Sequence, residues 1–211
     1  MEKTTTELTT EYIRGHPYIK SCLKKGLINY SSLARLIAKD LEIEKKTSKE
    51  AILIAARRLH DKLKKEFSYE EKIKNLLAKS EIEIKNKIVV FILEKNINFD
   101  SIQEIQKQVR KEYGLFYLLE GSDNYTLITQ EKYFDLIGKY KLKVIKTNKG
   151  LALINFKSQK EIEQMFGVVS YLASLFAENG VNIVEFLSCW TDTLFVIEAN
   201  DVNKTIGFLK F

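Results

Sequence analysis

The strongest constraint on the fold lies in residues 151–211, where the spacing of apolar residues changes repeatedly and turn-forming residues separate the segments. Leu151–Phe156 is a short, nearly all-apolar run, which predicts a strand buried on both faces. After Gly167, apolar residues recur at helical spacing as far as Asn179-Gly180, so we expect a helix that ends there.

Two further strands and a helix are predicted beyond that point. Val181–Leu187 alternates between its two sides, and Leu194–Glu198 is again apolar, with Cys189–Thr193 as the turn of a hairpin. Asp201 offers an N-cap side chain to a last amphipathic helix. The order strand, helix, strand, strand, helix lacks only one strand of a ferredoxin-like βαββαβ unit.

The amino-acid sequence of this stretch also resembles that of a known domain family. GVVSYLASLFAENGVNIVEFLSCWTDTLFVIE, residues 167–198, resembles the small-molecule-sensing ACT domain, and most closely the regulatory domains of aspartate kinases. The shared features are a Gly-Val helix start, a helix, a strand similar to xINI and a Ser/Thr-rich hairpin, in that order. Lys157–Phe166 departs from the pattern, because it is longer and lacks the Pro-Gly turn of many ACT domains.

Residues 81–148 repeat the same order of elements, which predicts a degenerate internal duplication. The expected strands are Glu81–Leu93, Leu115–Leu119, Tyr125–Thr129 and Leu142–Lys146, and the expected helices are Phe99–Tyr113 and Gln130–Tyr140. The resemblance therefore implies two ACT-like units, 80–148 and 149–211. The first lacks the Gly-Val helix start, so we expect no ligand site in it.

An all-helical domain is expected over residues 1–79, which makes the predicted fold class α+β, with helices followed by two ferredoxin-like βαββαβ units. Met1–Thr10 is Thr-rich and lacks periodicity, which predicts a frayed tail. Helices are expected from Pro17 to Lys25, from Asn29 or Ser31 to Leu41, and over Thr47–Lys65. A further helix at Phe67–Lys79 would join the two halves.

Positive charge is concentrated in this helical third. Residues 1–80 hold 18 Lys and Arg against 11 Asp and Glu, whereas residues 151–211 hold 4 against 7. YSSLARLIAKDL and SKEAILIAARRL are similar to the paired helices of a helix-turn-helix module, although the connection Glu42–Lys46 is long and has no glycine. The exposed basic residues are either a solvated face or a DNA contact formed by Arg57, Arg58, Lys64 and Lys65.

Catalysis and metal binding are not expected. The two histidines, His16 and His60, lie in the helical third, and the sequence has no Gly-rich phosphate loop and no nucleophile motif. Cys22 and Cys189 are far apart, which disfavours a disulfide framework or a zinc site, and Cys189 is expected to be a small buried side chain. No signal peptide and no apolar run of membrane-spanning length is found, so we expect a cytoplasmic protein. We also expect no cofactor.

The ACT resemblance implies a position for a ligand, namely the start of the first helix of the second unit, where free amide groups attract a carboxylate. The residues that match are Met165, Phe166, Gly167 and Val168 at the helix start, Asn182 on the next strand, and Ser188, Thr191, Asp192 and Thr193 in the hairpin. The alternative is that Gly167 only begins a helix and that residues 191–193 only turn a hairpin.

These observations predict a non-enzymatic, allosteric sensor that binds an amino acid and forms a dimer through its ACT units. Two alternatives stay open. One is a DNA-binding regulator that uses the basic helical domain, and the other is an interaction module that acts on a separate enzyme without a ligand of its own.

Overall fold

The computed structural model describes residues 3–65, 70–140 and 142–211, and the chain divides into two compact units, Met1–Ser68 and Tyr69–Phe211. The first is helical and the second combines helices with an antiparallel sheet, which confirms the predicted α+β class. The boundary between the units lies earlier than the predicted one at residues 79 and 80. The helix between these two positions packs within the second unit.

Four helices lie within the described residues of the first unit, and they share one apolar core. They are α1 (Thr5–Gly15), α2 (Pro17–Lys24), α3 (Tyr30–Asp40) and α4 (Lys49–Leu63). The prediction of a frayed tail as far as Thr10 is wrong, since α1 begins at Thr5. A capping box, in which Thr4 and Glu7 satisfy each other's backbone amides, stabilises this start.

Eleven helices and strands of the second unit lie within the described residues. They are α5 (Glu70–Ala78), β1 (Glu81–Glu94), α6 (Phe99–Lys111), β2 (Phe116–Glu120), β3 (Asn124–Gln130), α7 (Phe134–Lys139), β4 (Val144–Lys157), α8 (Val168–Glu178), β5 (Ile183–Cys189), β6 (Asp192–Glu198) and α9 (Val202–Phe208). Short 3₁₀ turns, Glu131–Tyr133, Lys160–Gln164 and Ala199–Asp201, precede α7, α8 and α9 respectively.

All six of these strands form one antiparallel sheet in the order β2-β3-β1-β4-β6-β5. The long strands β1 and β4 are its central pair, and each half of the pair is flanked by one hairpin. The separate strands predicted at 142–146 and 151–156 are a single strand, β4, because the backbone stays extended across the predicted unit boundary at residues 148 and 149.

Irregularities in the central pair separate the two halves of the sheet. Residues 81–85 of β1 pair with 153–157 of β4, and the register then shifts between Lys85 and Val90. Lys87 and Gly150 lie in this region and both have positive φ, 56° and 70°. Such bulges bend a strand. Each long strand therefore belongs to both halves of the sheet and has different neighbouring strands and helices in each half.

The sheet has a helix-covered face and a second, concave face. On the first, α5, α8 and α9 cover the half formed with β5 and β6, and α6 and α7 cover the other half. On the second, apolar side chains from all six strands form one cluster, which joins Tyr117 of β2 to Leu187 of β5.

A flat sheet would place these two edge strands about 24 Å apart, at about 4.8 Å per strand spacing. Side chains of both edge strands belong to one cluster, which is consistent with a curled sheet. The pKa of Tyr117 agrees with this geometry: burial raises it, and the carboxylate of Asp192 at the start of β6 raises it further.

Candidate functional site

A pocket of about 700 Å³ opens at the start of α8. It lies between this helix, the 3₁₀ turn that precedes it and the β5–β6 hairpin. Ten described residues line it: Ile162, Glu163, Met165, Gly167, Val168, Val169, Ser170, Ser188, Trp190 and Thr193.

The start of α8 gives the pocket its hydrogen-bond donors. Gly167 is the N-cap residue with φ 88°, a left-handed conformation that favours glycine, and no side chain caps the helix. The first helical hydrogen bond runs from the amide of Tyr171 to the carbonyl oxygen of Gly167, at 2.8 Å. The amides of residues 168–170 therefore have no acceptor within the helix, and the helix dipole makes this end partly positive.

The β5–β6 hairpin supplies the opposite side. Ser188 and Thr193 are directly opposite each other in the ladder and line the pocket together. Between the strands is a two-residue loop, Trp190-Thr191, in which Trp190 has φ 51° at a position where hairpins favour glycine. A left-handed conformation costs a bulky residue about 1–2 kcal/mol, and strain of this kind is concentrated at functional sites.

The segment between β4 and α8 forms the third wall. Ile162 packs in the core beside α8, and the neighbouring Glu163 lines the pocket. The amide of Ser158 donates to the carbonyl oxygen of Thr191 at 2.8 Å, and the ammonium of Lys160 lies 5.4 Å from the centre of the Trp190 ring. These two contacts hold the segment against the tip of the hairpin.

The lining of the pocket combines groups of opposite electrostatic character. Of the ten described residues that line it, Glu163 alone carries a formal charge, and it is exposed. The uncapped start of α8 supplies the complementary partial positive charge, and the hydroxyl groups of Ser170, Ser188 and Thr193 add neutral donors and acceptors. The remaining lining groups are apolar or aromatic.

Five of the nine residues predicted for the ligand site line this pocket. They are Met165, Gly167, Val168, Ser188 and Thr193. Whether they bind a ligand remains a prediction, but the structure brings them together around one cavity.

The other four are not among the lining residues. Phe166 is 72% exposed and is not part of the lining. Asn182 precedes β5, at the opposite end of that strand from Ser188, which is about 20 Å away at the usual rise per residue. The carbonyl oxygen of Thr191 accepts a hydrogen bond from the amide of Ser158. Asp192 pairs with Cys189 in the ladder, and alternation turns this pair to the face opposite the pocket.

Five lining residues were not predicted: Ile162, Glu163, Val169, Ser170 and Trp190. Val169 and Ser170 could have been found, because they belong to the first helical turn after Gly167. Trp190 is the only tryptophan of the sequence and occupies a hairpin turn, which is a second available signal.

The four basic residues predicted to contact DNA are all exposed in the first unit. Arg57 stacks over the ring of Tyr30 at 5.4 Å, and Lys64 pairs with Asp61 at 2.6 Å. Arg58 and Lys65 lie on the same helix or directly after it. Two of the four cations thus have partners within the unit, and DNA binding stays a prediction.

The histidines of this unit both pack against tyrosines. The ring of His16 stacks on Tyr12 at 4.1 Å, and Nδ1 of His60 is hydrogen-bonded to the hydroxyl of Tyr30. Within residues 3–65, 70–140 and 142–211, no group of three or more His, Cys, Asp or Glu side chains could hold a metal ion. Cys189 is exposed, so the prediction of a small buried side chain at that position is wrong.

The helices of the described part of the chain include none that is both long and apolar enough to cross a bilayer. No protein-family model matches the sequence, and no curated protein matches it.

Solved structures do match, and several of them are aspartate kinases or their regulatory parts. Aspartate kinase from Clostridium acetobutylicum aligns with a TM-score of 0.51 at 16% identity over 61% of this chain and 33% of the kinase. The regulatory subunit of aspartate kinase from Thermus thermophilus gives 0.47 at 8% identity, over 61% of this chain and 93% of the subunit. Aspartokinase III from E. coli, in complex with aspartate and ADP, gives 0.46 at 11% identity over 61% and 32%.

The chain thus spans about a third of the length of the Clostridium kinase. At these identities the likeness concerns the fold alone. The alignment with the Clostridium enzyme supports, for the fold alone, the resemblance to aspartate kinases that the sequence suggested.

Proposed function

We propose that the second unit is a pair of ACT-like units and that the pocket at the start of α8 binds a small zwitterionic metabolite, most simply an amino acid. The protein would then be a regulator and not an enzyme. The fold shared with an aspartate kinase supports this proposal. The chemistry of the pocket supports it independently.

The strand order is consistent with two ferredoxin-like halves. In the first, β4, β1, β3 and β2 are adjacent in that order, with α6 and α7 on one face. In the second, the order is β1, β4, β6 and β5, with α8 and α9 on the same face. The fourth strand of this second half is Glu81–Lys85, which precedes the first half in the chain. The second half is therefore completed by a strand that lies N-terminal to the first half in the chain.

One observation carries the ligand proposal: a partly positive helix start and a carboxylate line the same pocket. The free amides of Val169 and Ser170 suit a ligand carboxylate, and an anion at a helix start gains roughly 0.3–1 kcal/mol, or up to about 2 when partly buried. Glu163 suits an ammonium group. The pocket volume of about 700 Å³ falls within the usual range for small-molecule sites.

The lining favours binding over catalysis. Its hydroxyl groups belong to Ser170, Ser188 and Thr193, and none of the other described lining residues is a histidine or lysine that could activate them. The remaining surface, which includes Met165 and Trp190, offers apolar contact to a side chain. These features suit a ligand that is held and released unchanged.

Self-association is proposed through β5, the edge strand of the second half. Within the described residues its outer backbone edge pairs with no strand, and Phe186 is partly exposed beside it. A second copy that adds its own β5 would satisfy those backbone groups. Sedimentation or light scattering of the full chain tests this, and a monomer at every concentration would contradict it.

Calorimetry of the full chain against each of the twenty amino acids tests the ligand proposal. We expect one or a few to bind with a Kd of about 1 μM–1 mM, which corresponds to about −8 to −4 kcal/mol. Glu163→Gln should weaken this binding. The matched control is Glu161→Gln, an exposed carboxylate of the same 3₁₀ turn that does not line the pocket. Absence of binding by all twenty would overturn the proposal for this ligand class.

A further inference from the structure

Helix α5 is the first element of the second unit and the one through which the chain arrives from the helical unit. Its apolar face is formed by Ile73, Leu76 and Leu77, all of which are buried. These side chains belong to the same core cluster as Val168 and Leu172 of α8. The helix that leads into this unit is thus packed on the helix whose start forms the pocket.

The contact extends to the pocket wall itself. A Cβ atom placed on Gly167 would lie 3.6 Å from Cδ1 of Ile73. Gly167 also lines the pocket, whereas Ile73 does not. A ligand at the start of α8 and the Ile73 side chain of α5 would therefore both lie beside Gly167.

A polar connection joins the end of α5 to the hairpin tip. The hydroxyl of Ser80 donates to the carbonyl oxygen of Leu76 at 3.0 Å and lies 2.9 Å from the hydroxyl of Ser158. Because the single proton of Ser80 is used by Leu76, Ser158 is the donor in the second bond. The amide of Ser158 in turn donates to the carbonyl oxygen of Thr191, the residue after Trp190.

We propose that α5 is the coupling element of the pocket: occupancy of the pocket and docking of α5 stabilise each other. This inference rests on the proposed ligand site. Residues 158–170 contribute both to the wall of the pocket and to the surface that receives α5. A ligand that orders them raises the cost of undocking α5, and by reciprocity docked α5 raises the affinity for the ligand. Ligand binding thereby affects α5 at the start of the second unit, which follows the helical unit in the chain.

The first test needs no ligand and uses the full chain. Ile73→Ala should weaken the docking of α5, and hydrogen exchange of residues 158–170 should then accelerate by about fivefold or more. Emission of Trp190, the only tryptophan, should shift as well. Ile105→Ala is the matched control, because Ile105 is an equally buried isoleucine of α6 in the other half.

Ser80→Ala is the milder second variant, since it removes the link to Ser158 with almost no loss of volume. It should accelerate exchange of residues 158–170 in the same direction. Unchanged exchange in both the Ile73 and Ser80 variants would overturn the inference, as would equal acceleration by Ile105→Ala.

The second test adds the twenty amino acids as probes. An amino acid that binds should slow exchange of the α5 amides, and Ile73→Ala should weaken its affinity by about fivefold or more while Ile105→Ala does not. If an amino acid binds and exchange in α5 is unchanged, the coupling is wrong and the proposed function stands. If none binds, the proposed function fails for this ligand class, and the ligand-free test still decides the coupling.

Discussion

Asn155 of β4 donates its side-chain amide to Oδ1 of Asp192 on β6, at 2.9 Å. Asn155 is only 5% exposed, and its own side-chain oxygen has no hydrogen-bond partner among the described residues. The pair lies on the concave face of the sheet, opposite the pocket. A buried polar side chain satisfied by one bond on a carboxylate should be sensitive to a change of charge.

We expect Asn155→Asp to destabilise the second unit by about 3 kcal/mol at neutral pH, because it places a buried carboxylate in contact with the half-buried carboxylate of Asp192. Their repulsion raises the pKa of the new carboxyl group in the folded state above its unfolded value. The lost stability should therefore return as the pH falls through that raised pKa, when one carboxyl protonates and donates to the other. Urea unfolding of the variant between neutral and acidic pH measures this.

The control for this prediction exchanges the two groups. The double variant Asn155→Asp, Asp192→Asn restores one amide and one carboxylate and should recover most of the stability at neutral pH. A double variant as unstable as the single one would show that the hydrogen bond between the two residues is not the cause.

Gly167→Ala should destabilise the second unit by about 1 kcal/mol. The space is available, since the nearest atom to the added Cβ is Cδ1 of Ile73 at 3.6 Å, so the cost comes from φ 88°. Gly207→Ala is the matched control, because Gly207 lies in helix α9 with open space around it and without positive φ. It should be neutral or stabilising. Equal losses in the two variants would remove the conformational explanation.

The sequence predicted those parts of the fold that local signals determine. Helix α8 begins after Gly167 and ends at Asn179, as its periodicity and flanking residues indicate. The strands β5 and β6 likewise follow from alternation and an apolar run. The pairing of residues 81–85 with 153–157 joins segments about 70 positions apart, and no local pattern reports such a contact. The curl of the sheet depends on that pairing, so it could not be predicted from the sequence either.

The residues of the candidate site likewise include some that local sequence signals predict and some whose position depends on the fold. Met165, Gly167 and Val168 were predicted because they are consecutive with a recognisable helix start. The face on which Asp192 lies could not be predicted in this way, because it depends on the length of the hairpin loop. With a two-residue loop, Ser188 and Thr193 share one face, and Asp192 is turned to the other.

Trp190→Gly should separate stability from ligand binding. Glycine accepts φ 51° without strain, so the second unit should be unchanged or more stable by about 1 kcal/mol. The pocket loses an aromatic wall, so affinity for the amino acid that binds should fall about tenfold or more. Circular dichroism in urea and calorimetry measure the two effects.

Lys87→Gly is the control for this separation, since Lys87 has φ 56° at the bulge in β1 and does not line the pocket. It should stabilise by a similar amount and leave ligand affinity unchanged. A loss of affinity in Lys87→Gly would mean that backbone strain, and not the Trp190 ring, sets the affinity.

The helical unit should lose stability in alkaline solution because of Tyr12. Burial raises the pKa of Tyr12 to about 12, and the hydrogen bond and charge of Asp40 add to the shift. The folded state therefore holds this proton more tightly than the unfolded state, whose tyrosine pKa is near 10. The stabilising contribution is complete below about pH 10 and is lost as the pH rises towards about 12.

Thermal melts of the full chain, monitored by the circular dichroism signal of its helices, should show that the helical unit becomes less stable as the pH rises from about 10 to about 12. Tyr12→Phe should flatten this part of the pH dependence, because phenylalanine fills the same space without a titrating group. Tyr18→Phe is the matched control, since Tyr18 is 67% exposed in the same unit, and it should leave the pH dependence as in the wild type. If Tyr12→Phe loses stability with pH as steeply as the wild type does, the Tyr12–Asp40 pair is not responsible for the alkaline transition.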